Sequence, residues 1–196
     1  MLTITRLTGD DFHERLPELA RLLVDAVEGG HSLGFVAPFD AAEAREWWQG
    51  RYDAVAAGTL AVWLARDAGG AVGTRGAGGA VGARDAGGVG AGSAVGTVSL
   101  AFDGKANGRH RGDIVKLMVH REARGQGYGR RLLSIAEEAA AEAGLTLLML
   151  DTEAGSAAET LYDKAGWTRY GVVPEYAADP AGVLQPCSFF YKQVAV

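Results

Sequence analysis

Residues 124 to 131 read RGQGYGRR, four residues after the apolar run IVKLMV and directly before LLSIAEEAAAEAG. The run reads as a strand and the following segment as a helix, so the chain must turn sharply through three glycines and open a helix at once. The first-turn amides of a helix have no intrahelical acceptor, and the helix dipole there favours an anion by about 0.3–1 kcal/mol. Glycine lets the backbone approach that anion without an intervening Cβ. Arg124 and Arg130 can add charge-assisted hydrogen bonds. Three anion-binding turns therefore compete. A dinucleotide fingerprint needs glycine at the sixth position of G-x-G-x-x-G, which is Arg130 counted from Gly125 and Leu132 counted from Gly127. The phosphate loop of NTPases needs a lysine that this turn lacks. What remains is another anion cradle, Arg124-x-x-Gly127-x-Gly129.

The arginines of this turn are a local cluster, because the whole chain carries a formal net charge of -5. Such a balance offers no electrostatic footprint for nucleic acid and suits a small anionic ligand at one place. The single cysteine, Cys187, excludes an internal disulfide and, beside the apolar run FFY, reads as a small packed residue. The start, MLTITRLTGDDF, has no basic region followed by an apolar stretch, so no signal peptide is expected. No apolar run approaches the roughly 18 residues of a membrane span. A cytoplasmic protein with no membrane or nucleic-acid partner is the expectation, as a monomer or a homodimer.

Along the chain, residues 2 to 7 alternate and read as a strand, and Asp10 and Asp11 offer N-caps to a helix ending at Gly29-Gly30. HSLGFVAPF is loop-like. Asp40 and Glu43 have capping-box spacing ahead of a second helix that holds Trp47 and Trp48 and runs to about Gly58. TLAVWLA, 59 to 65, and AVGTVSLAF, 94 to 102, would form a complete hairpin without what lies between them. Residues 66 to 95 are nearly all Gly, Ala, Val, Arg, Asp, Thr and Ser, with ARDAGG at 65 and again at 83 and AVGT at 71 and again at 94. They read as a repeat-derived, mobile insertion in the hairpin, with little side-chain area to offset ordering entropy. Further strands are expected at 112 to 120, at 145 to 151 (buried on both faces and ending at Asp151), and in WTRYGVVPEY and QPCSFFYKQVAV; helices are expected at 127 to 143 and 156 to 166. The order β-α-α-β-β-β-α-β-α-β-β makes one α/β or α+β domain over 1–196.

The turn together with A-x-x-L-Y-x-K-x-G-W resembles the GNAT acetyltransferases. The match runs through Val119, Arg124, Gly127 and Gly129, then Ala158, Leu161, Tyr162, Lys164, Gly166 and Trp167. The resemblance implies a single mixed, mostly antiparallel sheet flanked by helices, with the Gly/Ala-rich insertion in the hairpin of its second and third strands, 59 to 65 and 94 to 102. It implies acetyl-CoA as donor, its pyrophosphate on the turn. The residues implied to hold it are Leu117, Met118, Val119, Arg124, Gly125, Gln126, Gly127, Tyr128, Gly129, Arg130 and Ser156. One departure is Gly155, where many relatives carry asparagine. VEGGHSLGF, KLMV, LDTEAGSAAE and VPEYAADPAGVLQP are further similar to the tabtoxin-resistance acetyltransferases, which acetylate an amino group of a β-lactam dipeptide toxin or its product. In such proteins the loop with His31, Ser32 and Phe35 shapes the acceptor pocket.

Acyl transfer to an amine needs a neutral amine, donors for the developing oxyanion and a proton for the departing thiolate. Asp113, opening one strand, and Asp151, ending its neighbour, would bring two carboxylates to one cleft, where desolvation and repulsion make them better bases. The resemblance matches both to general-base positions and Tyr162 to the general acid; the competing readings are a turn residue, a cap and a core tyrosine. The acceptor is a small-molecule amine, with aminoglycosides, polyamines and protein amines left open beside toxins. A non-catalytic acyl-CoA-binding module is the reading of a different class. His13, His31, His110 and His120 have no ligand spacing, so no metal is expected. Trp47 and Trp48 read as core or pocket wall, and the RGD at 111 to 113 as chance.

Overall fold

The computed structural model describes residues 1–68 and 92–195, and most of the glycine-rich insertion, from 69 to 91, lies outside the described residues. Seven strands form one sheet: β1 (Leu2–Arg6), β2 (Leu60–Asp67), β3 (Ala94–Phe102), β4 (Arg111–Val119), β5 (Leu147–Glu153), β6 (Thr168–Ala178) and β7 (Leu184–Gln193), in the order β1-β2-β3-β4-β5-β7-β6. Only β4 and β5 run parallel. The two halves of the expected hairpin do meet, with the Gly92 amide donating to the Asp67 carbonyl at 2.8 Å.

Two expected helices are each divided. The first becomes α1 (Gly9–Glu14) and α2 (Leu16–Glu28), because Pro17, in the first turn of α2, has no amide to continue α1. Its N-cap is Thr8 and not Asp10 or Asp11: Thr8 accepts from the Asp11 amide and Asp11 reaches back, a reciprocal capping box. The second becomes α3 (Ala41–Gln49), capped by Asp40 and Glu43 as expected, and α4 (Tyr52–Ala56), parted at Gly50. These four helices cover one face of the sheet. Trp48 is fully buried there and its indole N–H donates to the Leu19 carbonyl at 3.1 Å. Truncating such a residue costs about 3–5 kcal/mol. α5 (Tyr128–Glu142) and α6 (Ala157–Lys164) cover the opposite face, where Leu132, Leu133 and Ala136 meet Leu100, Leu148 and Phe190. Among the described residues no helix is long and apolar enough to cross a membrane.

What positions the site is the way β4 leaves β5. The two strands share only the rungs Arg111↔Leu147, Gly112↔Leu148 and Asp113↔Met149. On the other edge of β4, Thr97 pairs with Met118 and Ser99 with Val115, so Lys116 and Leu117 together oppose Val98. That is a β-bulge, with Lys116 at φ 53, and a bulge bends and twists its strand away from a neighbour. Consequently β5 does not end at Asp151 but runs on to Glu153, paired there with β7 alone. Nor is it buried on both faces: Leu148 and Leu150 are buried while Asp151 is exposed.

Candidate active site

Asp113 stands at the last rung before the strands part, and Asp151 two residues beyond Met149 on β5, so strand alternation puts both on the face away from α5 and α6. The Asp113 side chain reaches the surface, yet lost hydration raises its carboxyl above the usual range. Arg111 opposes that rise, while Asp103 and Asp151 add to it. Cys187, from β7, lies with Sγ 3.5 Å from Asp151 Oδ2 and donates to the Thr152 carbonyl at 3.1 Å. Burial first, and Asp151 second, push its thiol up to about 12, so it is a packed residue that also shields the carboxylate. Tyr162, on α6, packs its ring against Trp167 at 6.0 Å and Phe190 at 5.9 Å between centroids. Burial, then the charge of Asp151, raises its phenol, which therefore stays protonated at neutral pH. The charge of Asp151 reaches that hydroxyl.

At the far end of β4 a short 3₁₀ turn, Arg121–Ala123, leads into the glycine turn. Gly125 and Gly127 both take left-handed backbone, at φ 77 and 78, which a side chain would oppose. Gly127 is the N-cap of α5 and supplies no side-chain acceptor, so the first-turn amides of α5 are open to a ligand. Gly129 is different: a Cβ built there would make ordinary contacts, 3.5 Å to Leu161 and 3.7 Å to Val119. The fold itself does not require that glycine. Arg124 donates from Nε to the Val119 carbonyl at 3.0 Å, and Arg130 to the Lys164 carbonyl at 2.9 Å. Each keeps further N–H groups for an anion. The Tyr128 hydroxyl is committed to Asp67 at 2.7 Å, which leaves its backbone amide for the turn. Gln126 is exposed. Ser156 caps α6, accepting from the Glu159 amide at 3.2 Å.

Sequence reasoning passed over the residue that holds this turn in place. Asp25, buried on α2, accepts from the backbone amide of Arg121 at 3.0 Å and from its side chain, and lies 3.4 Å from His120 Nε2. Arg124 stands 3.9 Å away on the same carboxylate.

The loop between α2 and α3 does not act as one wall. Phe35 packs on Phe39 at 4.5 Å and Trp47 at 5.5 Å. Ser32 donates to the Ala178 carbonyl at 3.4 Å, and the Ala37 amide to the Pro180 carbonyl at 2.8 Å, tying the loop to the β6–β7 turn. His31 instead faces the glycine turn, where burial and then Arg124 lower its pKa against the opposing pull of Asp25. Beside Phe35 stands a residue not singled out before: Lys116, whose Nζ donates to the Leu33 carbonyl at 2.6 Å and lies 5.3 Å from the Phe35 ring. Its signal was a solitary charge within the apolar IVKLMV. Among the described residues no cluster of His, Cys, Asp and Glu could hold a metal ion.

The model of the Acetyltransferase (GNAT) family matches residues 10–167. The chain is 35% identical over 95 residues to an IAA acetyltransferase of Azospirillum brasilense, a match spanning 48% of this chain and 60% of that protein. It is similar in structure to the ribosomal-protein-alanine N-acetyltransferase of Brucella melitensis, at a TM-score of 0.67 and 23% identity, over 98% of this chain and 99% of that one. It is likewise similar to yncA of Salmonella typhimurium, solved with its cofactor acetyl-CoA. That likeness has a TM-score of 0.69 and 17% identity, over 100% and 95% of the two chains. At such identities the structural likeness speaks for the fold.

Proposed function

Because this chain belongs to the acetyltransferase (GNAT) family, we propose that it transfers an acetyl group from acetyl-CoA to the amine of a small molecule, directly, with both substrates bound together. The observation that carries this reading is the opening between β4 and β5, with Asp113 and Asp151 beside it and the uncapped start of α5 beyond its end. That start fits a pyrophosphate: open amides, two arginines with spare N–H groups, and a glycine at 129 that the protein's own packing does not demand. Bound there, acetyl-CoA supplies an acyl carbon activated by its thioester.

The chain's own groups then divide the work. Past Asp113, β4 has no partner on its β5 side, so a backbone amide in Leu117–Val119 is available to donate toward the carbonyl oxygen. Asp113 and Asp151 accept the proton that an ammonium must lose before it can attack, directly or through water. Tyr162, whose phenol stays protonated, returns a proton to the sulfur that departs. The similarity of VEGGHSLGF, LDTEAGSAAE and the β6–β7 segment to tabtoxin-resistance enzymes makes a toxin or antibiotic of the tabtoxinine-β-lactam type the first acceptor to try. The test is release of free thiol from acetyl-CoA across an amine panel. Tight calorimetric binding of acetyl-CoA with no thiol release from any amine would replace this reading with a non-catalytic acyl-CoA-binding module.

A further inference from the structure

On the α3–α4 side of the sheet a cavity of about 340 Å³ opens between Trp47, Arg51, Ser99, Ala101, Val115 and Lys116. Lys116 is held there by the Leu33 carbonyl at 2.6 Å, yet the lining still lacks a counter-charge and an acceptor. Ser99 is 1% exposed, and among the described residues its Oγ is the buried side-chain polar atom with no hydrogen-bond partner. Leaving such a group unpaired costs about 1–3 kcal/mol. The Arg51 guanidinium lies 4.3 Å from the Trp47 ring centroid, and Lys116 Nζ lies 5.0 Å from the same ring. Neither cation makes a salt bridge among the described residues. Two like charges thus share one indole in a largely apolar cavity. The cost is visible at Lys116, whose ammonium is pushed down to about 8 by burial and by Arg51, with Asp151 opposing. A bulge that holds Lys116 at a left-handed φ adds to that cost.

An anion entering the cavity would relieve all of this at once: a counter-ion for two cations and an acceptor for the Ser99 hydroxyl. The cavity shares a sheet face with the candidate carboxylate Asp113. Ala101, in its floor, pairs directly with Asp113, and Ser99 pairs with Val115 on the same face. None of the residues of the glycine turn, which lies beyond the end of β4, lines it. We propose that this cavity binds a carboxylate of the acceptor, so that the acceptor is an amino acid or a close analogue of one. Its amine lies toward Asp113 and Asp151, and its carboxylate lies against Arg51, Lys116 and Ser99. This rests on the acetyl-transfer reading above and narrows it. A purely cationic acceptor, such as a polyamine or an aminoglycoside, would bring a second ammonium against Arg51 and Lys116.

Thiol-release kinetics with acetyl-CoA, run on each of the twenty amino acids beside its own carboxamide and on spermidine and kanamycin, test the proposal. The expected result is at least a tenfold higher kcat/KM for a free acid than for its amide. Arg51→Gln and Ser99→Ala should lower kcat/KM for the acid more than for its amide, bringing the acid-to-amide ratio toward one. Equal turnover of acid and amide, preference for spermidine or kanamycin, or a preference untouched by Arg51→Gln overturns it. If nothing on the panel turns over, butyrate and butyramide decide by tryptophan fluorescence. A saturable response to butyrate alone, absent in Trp47→Phe and lost in Arg51→Gln, supports the carboxylate site; no response, or an equal one to butyramide, overturns it. Failure of the acetyl-transfer reading would show separately, as absence of calorimetric acetyl-CoA binding or as tight binding with no thiol release from any amine.

Discussion

Asp113 and Met149 form the last rung at which β4 and β5 remain paired. Beyond it the bulge at Lys116 turns β4 away, and the next outward-facing residue of β5 on that face is Asp151. A candidate base therefore sits at the mouth of the opening and a second one inside it, which gives each of the following substitutions a separate signature.

Replacing either carboxylate should cost most where the amine is charged. The raised Asp113 carboxyl takes up its proton at a higher pH than a free aspartate, so activity through it is present above that raised value and lost as pH falls through it. Asp113→Asn should remove this acidic limb from the pH profile of kcat/KM. Both Asp113→Asn and Asp151→Asn should lower turnover by about 10²–10⁴-fold at neutral pH and recover in part as pH rises. Steady-state kinetics over a pH series would show it, and flat, unchanged profiles would remove both residues from the mechanism.

Tyr162→Phe should lower turnover by about 10²–10⁴-fold without recovery at high pH. Its ring packing on Trp167 and Phe190 is kept by phenylalanine, so unfolding free energy should change by about 1 kcal/mol or less. Denaturant titration beside the kinetics separates the two effects. Full activity in the variant would make the tyrosine a packing residue.

The glycine turn offers a contrast within three residues. Gly129→Ala replaces a helical glycine whose surroundings accept a Cβ, so stability should hold or rise by up to about 1 kcal/mol while acetyl-CoA affinity falls. Gly127→Ala must hold a side chain at φ 78 and should lose about 1–2 kcal/mol of stability as well as affinity. Arg124→Ala should weaken acetyl-CoA less than either. Calorimetry and thermal melts on the three variants check this; an unweakened Gly129→Ala would move the pyrophosphate elsewhere.

Cys187 should behave as an inert thiol. With its pKa pushed up to about 12, the thiolate stays scarce at pH 8, and an aromatic disulfide reagent should label it only after unfolding. Rapid labelling of the folded protein would contradict the burial and the contact with Asp151.

The strand, glycine turn and helix around RGQGYGRR, the capping box of Asp40 and Glu43 and most of the element order were readable in the chain itself, because each rests on contacts within a few residues. Even the divided first helix was marked, by Pro17. Asp113, Asp151 and Tyr162 could be nominated from their places along the chain. A shared cleft for the two carboxylates could be expected too, but not the parting of β4 from β5 that shapes it, because pairings with strands distant in sequence decide that. The same holds for Asp25, whose bond to the Arg121 amide joins residues 96 positions apart. It holds most of all for the cavity of Trp47, Arg51, Ser99 and Lys116, which is assembled by two strands and the α3–α4 segment. No local pattern encodes an unpaired hydroxyl beside two cations. It exists because hydrophobic burial of both helix layers sets where those backbones lie, and the polar groups are carried there with them.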